Sequence, residues 1–224
     1  MPKYHIVADA THNTDEFPLL NKSIMRYISH EIIALDGAAG ILKAMDIMPV
    51  VIIGDLDSIN QETIDFFQEN NVKVIKIDDQ DSTDLDKGME HALSLGATEI
   101  IISNALGGRA DHTIYNYRIM KKYYSRLRNI KMVTLKDCMQ YFEDAVVQII
   151  DVADRPVSIL SFPKAIVKSQ GLQYELDNLE LEMGLKESSS NKMIDGTAII
   201  EIKGKALVIY PLEAQLKVVY NNQP

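Results

Sequence analysis

Residues 50–58 read Val50-Val51-Ile52-Ile53-Gly54-Asp55-Leu56-Asp57-Ser58. Four β-branched residues run together without alternation, as a strand buried on both faces requires. Strands of that kind belong to parallel sheets covered by helices. Gly54 and the two acids then fall at the carboxyl end of the strand, the side of an open parallel sheet on which ligands bind. In an extended segment Asp55 and Asp57, two positions apart, point the same way. Paired carboxylates repel unless a cation lies between them. Their hard oxygens suit Mg2+, which takes one or two protein carboxylates, several waters and substrate phosphates. Alone, the pair also reads as an acidic turn in which Ser58 caps the next helix. The rest of the chain favours the metal.

The same rhythm of apolar run and helical period extends on both sides. Candidate strands lie at His5–Ala8, Ile32–Leu35, Val50–Ile53, Val72–Ile77 and Glu99–Ser103. Candidate helices lie at Gly40–Asp46, Gln61–Asn70, Asp84–Leu95 and Ile114–Arg128. The third places Leu85, Met89, Ala92 and Leu93 on one face, with Ser82 or Thr83 as N-cap and Gly96 as its stop. This alternation predicts an α/β region with a mostly parallel sheet flanked by helices. After about residue 135 helical periodicity fades. Short apolar runs follow at Met139–Phe142, Val146–Ile150, Val157–Phe162, Ala165–Lys168, Leu172–Leu176, Ala198–Ile202, Ala206–Tyr210 and Leu216–Tyr220. Turn residues such as Asp154-Arg155-Pro156 and Lys203-Gly204 separate them, which predicts an all-β sandwich. The expected domains are residues 1–137 (α/β, nucleotide and catalysis) and 138–224 (β-sandwich).

Composition narrows the function classes. The 224 residues are 46% hydrophobic and 25% charged, ordinary for a globular protein. A net charge of −9 argues against non-specific nucleic-acid binding, which needs clustered Lys and Arg. Residues 36–111 hold 11 Asp and 4 Glu against 4 Lys and 1 Arg, so the negative charge is local and the remainder is close to neutral. The single cysteine, Cys138, excludes an internal disulfide and a Cys-rich zinc site, and fits a reducing compartment. No apolar run approaches the length of a spanning helix, and the N-terminus lacks a basic start followed by an apolar stretch. A soluble, cytoplasmic protein without a membrane partner is expected.

Three further motifs accompany Asp55 and Asp57. Leu35-Asp36-Gly37 ends a strand. Asp79-Gln80-Asp81-Ser82-Thr83-Asp84-Leu85-Asp86-Lys87 enters a helix. Leu106-Gly107-Gly108-Arg109-Ala110-Asp111-His112 follows another strand. Asp36 and Asp84 can complete a metal site from neighbouring strand ends. Asp84 and Lys87 share a helix face, and the helix N-terminus adds partial positive charge and free N–H groups. That set suits a metal-bound polyphosphate, although an ordinary surface ion pair has the same spacing. Gly107 and Gly108 permit close approach to a ligand, and Arg109 offers a planar fork for phosphate oxygens. Asp111 either orients Arg109, binds metal through water, or caps a helix near Thr113. His112 reads as structural. No G-x-x-x-x-G-K-[ST], G-x-G-x-x-G or G-x-S-x-G motif is present.

In this order the four motifs resemble the thiamin pyrophosphokinase (thiamin diphosphokinase) family, with the close match spanning residues 36–116. Gly171-Leu172-Gln173-Tyr174-Glu175-Leu176 and Ser188-Ser189-Ser190-Asn191 match its later segments more loosely. The resemblance implies a transferase, a kinase that moves a diphosphoryl group from ATP to the hydroxyl of thiamin, giving thiamin diphosphate and AMP. It implies Mg2+ at Asp36, Asp55, Asp57 and Asp84, with Asp55, Asp57, Asp84, Lys87 and Arg109 catalytic. Gln80, Asp81, Thr83, Lys87, Arg109 and Asp111 would serve the polyphosphate, Asp81 being also a candidate base. Tyr174 would stack on the pyrimidine where relatives often have Trp, beside Ser190 and Asn191. It implies a homodimer with sites between the α/β domain of one subunit and the sandwich of the other. The chain departs from the pattern at Gly40, where Asn is common, and along Ala8–His12. A Mg- or Mn-dependent phosphoesterase and a non-catalytic thiamin- or nucleotide-binding sensor are the alternatives.

Overall fold

The structure, a computed structural model, describes residues 1–10, 24–79, 81–125, 129–151 and 153–220. It is mixed α/β and divides into two compact units, Met1–Leu135 and Lys136–Pro224.

The first unit contains β1 (Lys3–Val7), β2 (Glu31–Leu35), β3 (Val51–Gly54), β4 (Lys73–Lys76), β5 (Glu99–Ser103) and β6 (Asn129–Val133). Its helices are α1 (Ala38–Ala44), α2 (Gln61–Glu69), α3 (Asp84–Ser94) and α4 (Ala110–Lys122). The strands pair in parallel in the order β6-β5-β1-β2-β3-β4. From β1 the chain runs outward through β2 and β3 to β4, then returns to β5 on the other side of β1. That reversal opens a crevice at the carboxyl ends of the strands. Val51, Ile52 and Ile53 are all buried, as are Ile100, Ile101 and Ile102, because helices cover both faces.

Two histidines lie deep in this unit. His5 on β1 is fully buried, and its Nε2 lies 2.8 Å from Ser103 Oγ. Its Nδ1 has no partner among the described residues. Burial, with the His30 charge a lesser cause, pushes its pKa down to about 3. His30 in turn lies 2.8 Å from Glu99 Oε1.

Helix α3 begins where Thr83 closes a capping box with Asp86. Ser82, the other candidate cap, instead donates its hydroxyl to Asp79 Oδ2 at 2.5 Å. Ser58 does not cap α2; Asn60 does, accepting from Thr63 N at 2.8 Å. Helix α4 starts four residues before the expected Ile114, whose side chain faces solvent and carried no information about the boundary. Strand β6 escaped the sequence reading because Lys131 interrupts its apolar residues.

The second unit contains β7 (Asp137–Ile150), β8 (Pro156–Gln170), β9 (Leu179–Glu182), β10 (Ser188–Lys192), β11 (Thr197–Pro211) and β12 (Gln215–Tyr220). All pairings within it are antiparallel. β11 lies between β7 and β8, β12 pairs with the second half of β7, and β10 and β9 flank the first and second halves of β8. Six of the expected short runs merge pairwise into β7, β8 and β11. The turn residues between them mark bulges instead of reversals. Register shifts fall between Ile202 and Lys205 against β7 and between Gly204 and Ala206 against β8. Asp144 has φ 47, and its Oδ1 accepts from Gly204 N at 2.8 Å. Gly204 is needed there, since its φ is +97 and a Cβ would lie 2.8 Å from Lys164 O.

Leu172–Leu176 is not a strand. The Glu175 carboxylate accepts from Gly171 N at 2.6 Å and Leu172 N at 3.1 Å, curling the segment, and only Leu172 bridges to Met193. Conversely, Ser188–Asn191, absent from the candidate strands, lies in β10.

Candidate active site

In the first unit the register of β2 and β3 sets Leu35 opposite Ile53, so Asp36 and Asp55 emerge from adjacent strand ends. Gly54 leaves the space between them open: a Cβ there would lie 2.7 Å from Asp36 Cγ. Asp84, the first residue of α3, arrives at the same place. Carboxylate oxygens of Asp36, Asp55 and Asp84 all lie within 4.8 Å of one another. Asp36 is buried; the other two are half-buried. Burial, then the charge of Asp84, pushes the Asp36 pKa up to about 6, against the lowering effect of N–H groups from Gly37 and Ser58.

Lys87 stands one helical turn beyond Asp84, with its Nζ 2.9 Å from Asp84 Oδ1. Burial works against its charge. The hydrogen bond to Asp84 and the charges of Asp84, Asp55 and Asp79 outweigh that and hold its pKa above the ordinary lysine value. A buried ammonium thus adjoins three convergent carboxylates.

Asp57 does not join them. The chain bends at Leu56, whose φ is 65, so the same-side geometry of an extended strand does not hold. Asp57 Oδ1 accepts from Ser58 Oγ at 2.9 Å, and its N–H donates to Asp55 Oδ1 at 3.1 Å. Asp81 is exposed and also outside the convergent three. Thr83 is committed to the helix cap through its hydroxyl, which donates to Asp86 Oδ2 at 3.1 Å and accepts from Asp86 N at 3.3 Å. Gln80 lies outside the described residues.

The loop before α4 is closed by Thr113, a residue the sequence reading did not assign. Its Oγ1 accepts from Gly107 N at 3.1 Å and contacts Gly107 O at 3.0 Å. A hydroxyl in the first turn after a Gly-Gly pair was the available signal. Arg109 donates a fork to Asp111: Nε to Oδ1 at 3.1 Å and Nη2 to Oδ2 at 2.6 Å. That hydrogen bond is the main reason the Asp111 carboxyl is pulled down to about 2. Of the three roles open to Asp111, orienting Arg109 matches this geometry. Capping does not, since Arg109 is itself the N-cap residue and makes no side-chain cap. Both side chains remain largely exposed, so the guanidinium is accessible to an anion.

In the second unit Tyr174 is 65% exposed while Asn191 is 2% exposed. Asn191 Oδ1 accepts from Tyr174 N at 3.1 Å and Lys192 N at 2.9 Å, and its Nδ2 donates to Tyr174 O at 2.7 Å. The amide therefore holds the backbone of Tyr174. Ser190 is exposed at φ 57, with its N–H donated to Ser158 Oγ at 3.0 Å.

Comparison with known proteins bears on both units. The family model "Thiamin pyrophosphokinase, catalytic domain" matches residues 25–134, and "Thiamin pyrophosphokinase, vitamin B1 binding domain" matches residues 147–209. Thiamin pyrophosphokinase 1 of Caenorhabditis elegans is 28% identical over 197 residues, 82% of this chain and 79% of that protein. Thiamine pyrophosphokinase 1 of Arabidopsis thaliana is 30% identical over 174 residues, 68% of this chain and 61% of that protein. Among solved structures, thiamine pyrophosphokinase from Bacillus subtilis superposes with a TM-score of 0.79 at 25% identity, covering 93% of this chain and 98% of that one. Thiamin pyrophosphokinase from Candida albicans gives a TM-score of 0.78 at 19% identity, covering 94% and 90%, and so shares the fold.

Proposed function

The chain belongs to the thiamin pyrophosphokinase family, and from that premise we infer that it transfers a diphosphoryl group from ATP to the hydroxyl of thiamin, giving thiamin diphosphate and AMP. The observation that carries this reading is the convergence of Asp36, Asp55 and Asp84 beside the buried Lys87.

The donor set fits a divalent cation. Three carboxylates within 4.8 Å repel one another, and the raised pKa of Asp36 registers that repulsion together with burial. All the donor atoms are hard oxygens, which favours Mg2+ over softer metals. Bound there, the ion would neutralise charge on the polyphosphate oxygens. Lys87 holds a phosphate oxygen from within the protein, and Arg109, oriented by Asp111, offers its fork from the surface. In the transfer, the thiamin oxygen bonds to the β-phosphorus while the bond from that phosphorus to the α–β bridging oxygen breaks and AMP leaves. Positioning and charge stabilisation carry most of such a reaction, and a loose transition state needs little help from a base. Tyr174 provides an aromatic face for the pyrimidine ring, with its backbone held by Asn191.

Mg2+ as the ion, cytoplasmic residence, a homodimer, and a sandwich formed by the two halves of β7, β8 and β11 belong to the same proposal. Exposed apolar side chains at Leu185, Met183 and Ile194 in the second unit support an assembly. The mid-strand bulges support the sandwich.

The test is product analysis. Purified protein with ATP and Mg2+ should form AMP only when thiamin is present. Release of ADP or inorganic phosphate without thiamin would establish the phosphoesterase alternative instead.

A further inference from the structure

We propose that Asp86 is a positioning residue of the transfer reaction: its buried carboxylate locks the first turn of α3, which carries Asp84 and Lys87, onto α4. The proposal rests on the reading that Asp84 and Lys87 serve the metal and the polyphosphate.

Asp86 is fully buried, and both of its carboxylate oxygens accept from protein donors. Oδ2 accepts from Thr83 Oγ1 at 3.1 Å, Thr83 N at 3.4 Å and Tyr115 OH at 2.9 Å. Oδ1 accepts from Lys122 Nζ at 2.5 Å and Tyr123 OH at 2.9 Å. A capping box alone needs one oxygen. Here the second oxygen reaches across to another helix. Tyr115, Lys122 and Tyr123 stand at i, i+7 and i+8, so one stripe along α4 and its C-cap residue Tyr123 is turned toward this single carboxylate. The contact is reinforced twice over. Lys122 Nζ lies 5.0 Å from the centroid of the Tyr123 ring, and Tyr123 OH also lies 3.2 Å from Glu90 Oε1, one turn further along α3.

The location gives this network its meaning. Asp84 is one residue beyond the cap and Lys87 immediately follows Asp86, so the turn that Asp86 fixes is the turn that sets the 2.9 Å Asp84–Lys87 contact. Helix α4 follows directly on the loop bearing Arg109, so the same carboxylate ties two elements that handle phosphate. Since all its acceptor positions are filled from within, Asp86 does not touch substrate. A small misplacement of groups around a transferring phosphoryl group is enough to slow it greatly.

The test uses the full chain with ATP, Mg2+ and thiamin, assayed well below each variant's melting midpoint and with circular dichroism as a check on folding. Asp86→Asn keeps the size and one acceptor for the cap but turns an amide NH2 toward donors. The pair Tyr115→Phe/Tyr123→Phe keeps the carboxylate and the cap while cutting two ties to α4. In both, kcat should fall roughly ten- to a hundred-fold while KM for thiamin stays within about two-fold, the mark of lost alignment with binding retained. Folded variants whose kcat stays within about two-fold of the parent's would overturn the proposal, as would a matching loss carried by KM alone. If Asp86→Asn does not fold, the Tyr pair decides. Asp84→Asn and Lys87→Met are assayed alongside. Full turnover in those two would overturn the site reading itself, whereas their inactivity beside a fully active Asp86→Asn would remove only the role given to Asp86.

Discussion

Asn191 closes two hydrogen bonds on the backbone of Tyr174, accepting its N–H at 3.1 Å and donating to its carbonyl at 2.7 Å. The tyrosine ring is thus presented to solvent by a residue seventeen positions later. Asn191→Ala strands the backbone groups it held, and should cost about 1–3 kcal/mol of stability. It should also raise KM for thiamin by more than it lowers kcat. Tyr174→Ala should raise that KM with no loss of stability, because the ring is exposed. Thermal melts and steady-state kinetics on the two variants separate these effects.

The three convergent carboxylates predict opposite responses with and without metal. Asp36→Asn should leave the protein at least as stable as the parent in EDTA, since a mutual repulsion is relieved. It should abolish most of the rise in melting temperature on adding Mg2+. Turnover should fall by roughly a hundred-fold or more, as for Asp55→Asn and Asp84→Asn. Asp57→Ala should cost clearly less than Asp55→Ala, because Asp57 faces Ser58. Calorimetry in EDTA and in Mg2+, alongside kcat, checks each point.

His5 predicts acid sensitivity. Its pKa in the folded state is held down at about 3, whereas an unfolded histidine titrates near 6.5. Between those values the unfolded chain binds the extra proton, so stability falls as the pH drops through this window and is fully present above it. The whole contribution is on the order of a few kcal/mol. Urea midpoints measured from pH 7.5 to pH 4 should fall steeply for the parent and less steeply for His5→Gln.

Arg109→Lys should leave the melting temperature unchanged, since the side chain is largely exposed. It should raise KM for ATP several-fold, because an ammonium offers a point charge where the guanidinium offers a fork. An unchanged KM for ATP would remove Arg109 from the phosphate site.

How much of this was legible depends on the distance over which each residue finds its partner. Asp36, Asp55 and Asp84 were readable because each follows or opens a regular element, and the elements could be recognised locally. That Asp57 stands apart from these three was not legible, because one left-handed residue, Leu56, undoes the two-residue alternation, and Leu advertises no such conformation. The hold of Asn191 on Tyr174 was not legible because nothing near it in sequence reveals that Tyr174 occupies both ends of its amide. The role of Asp86 was not legible within its own motif, since its partners Tyr115, Lys122 and Tyr123 lie 29, 36 and 37 residues away. The long strands of the second unit were cut in two because Asp144 and Gly204 punctuate a sequence whether the chain turns back or merely bulges.

The placing of β11 between β7 and β8 has a consequence for how the protein is made. β7 and β8 are neighbours in sequence but not in the sheet, and each finds its longest partner in residues 197–211. As the chain leaves the ribosome, the six parallel strands of the first unit are complete once Val133 has emerged. The next sixty residues reach only a partial resolution, the pairing of β9 and β10 with β8. They must wait, with β7 lacking β11 and β8 joined only by the short β9 and β10, until residues 197–211 have been made, and that interval is when a nascent copy is most open to chaperones and to misassociation with its neighbours on the same message.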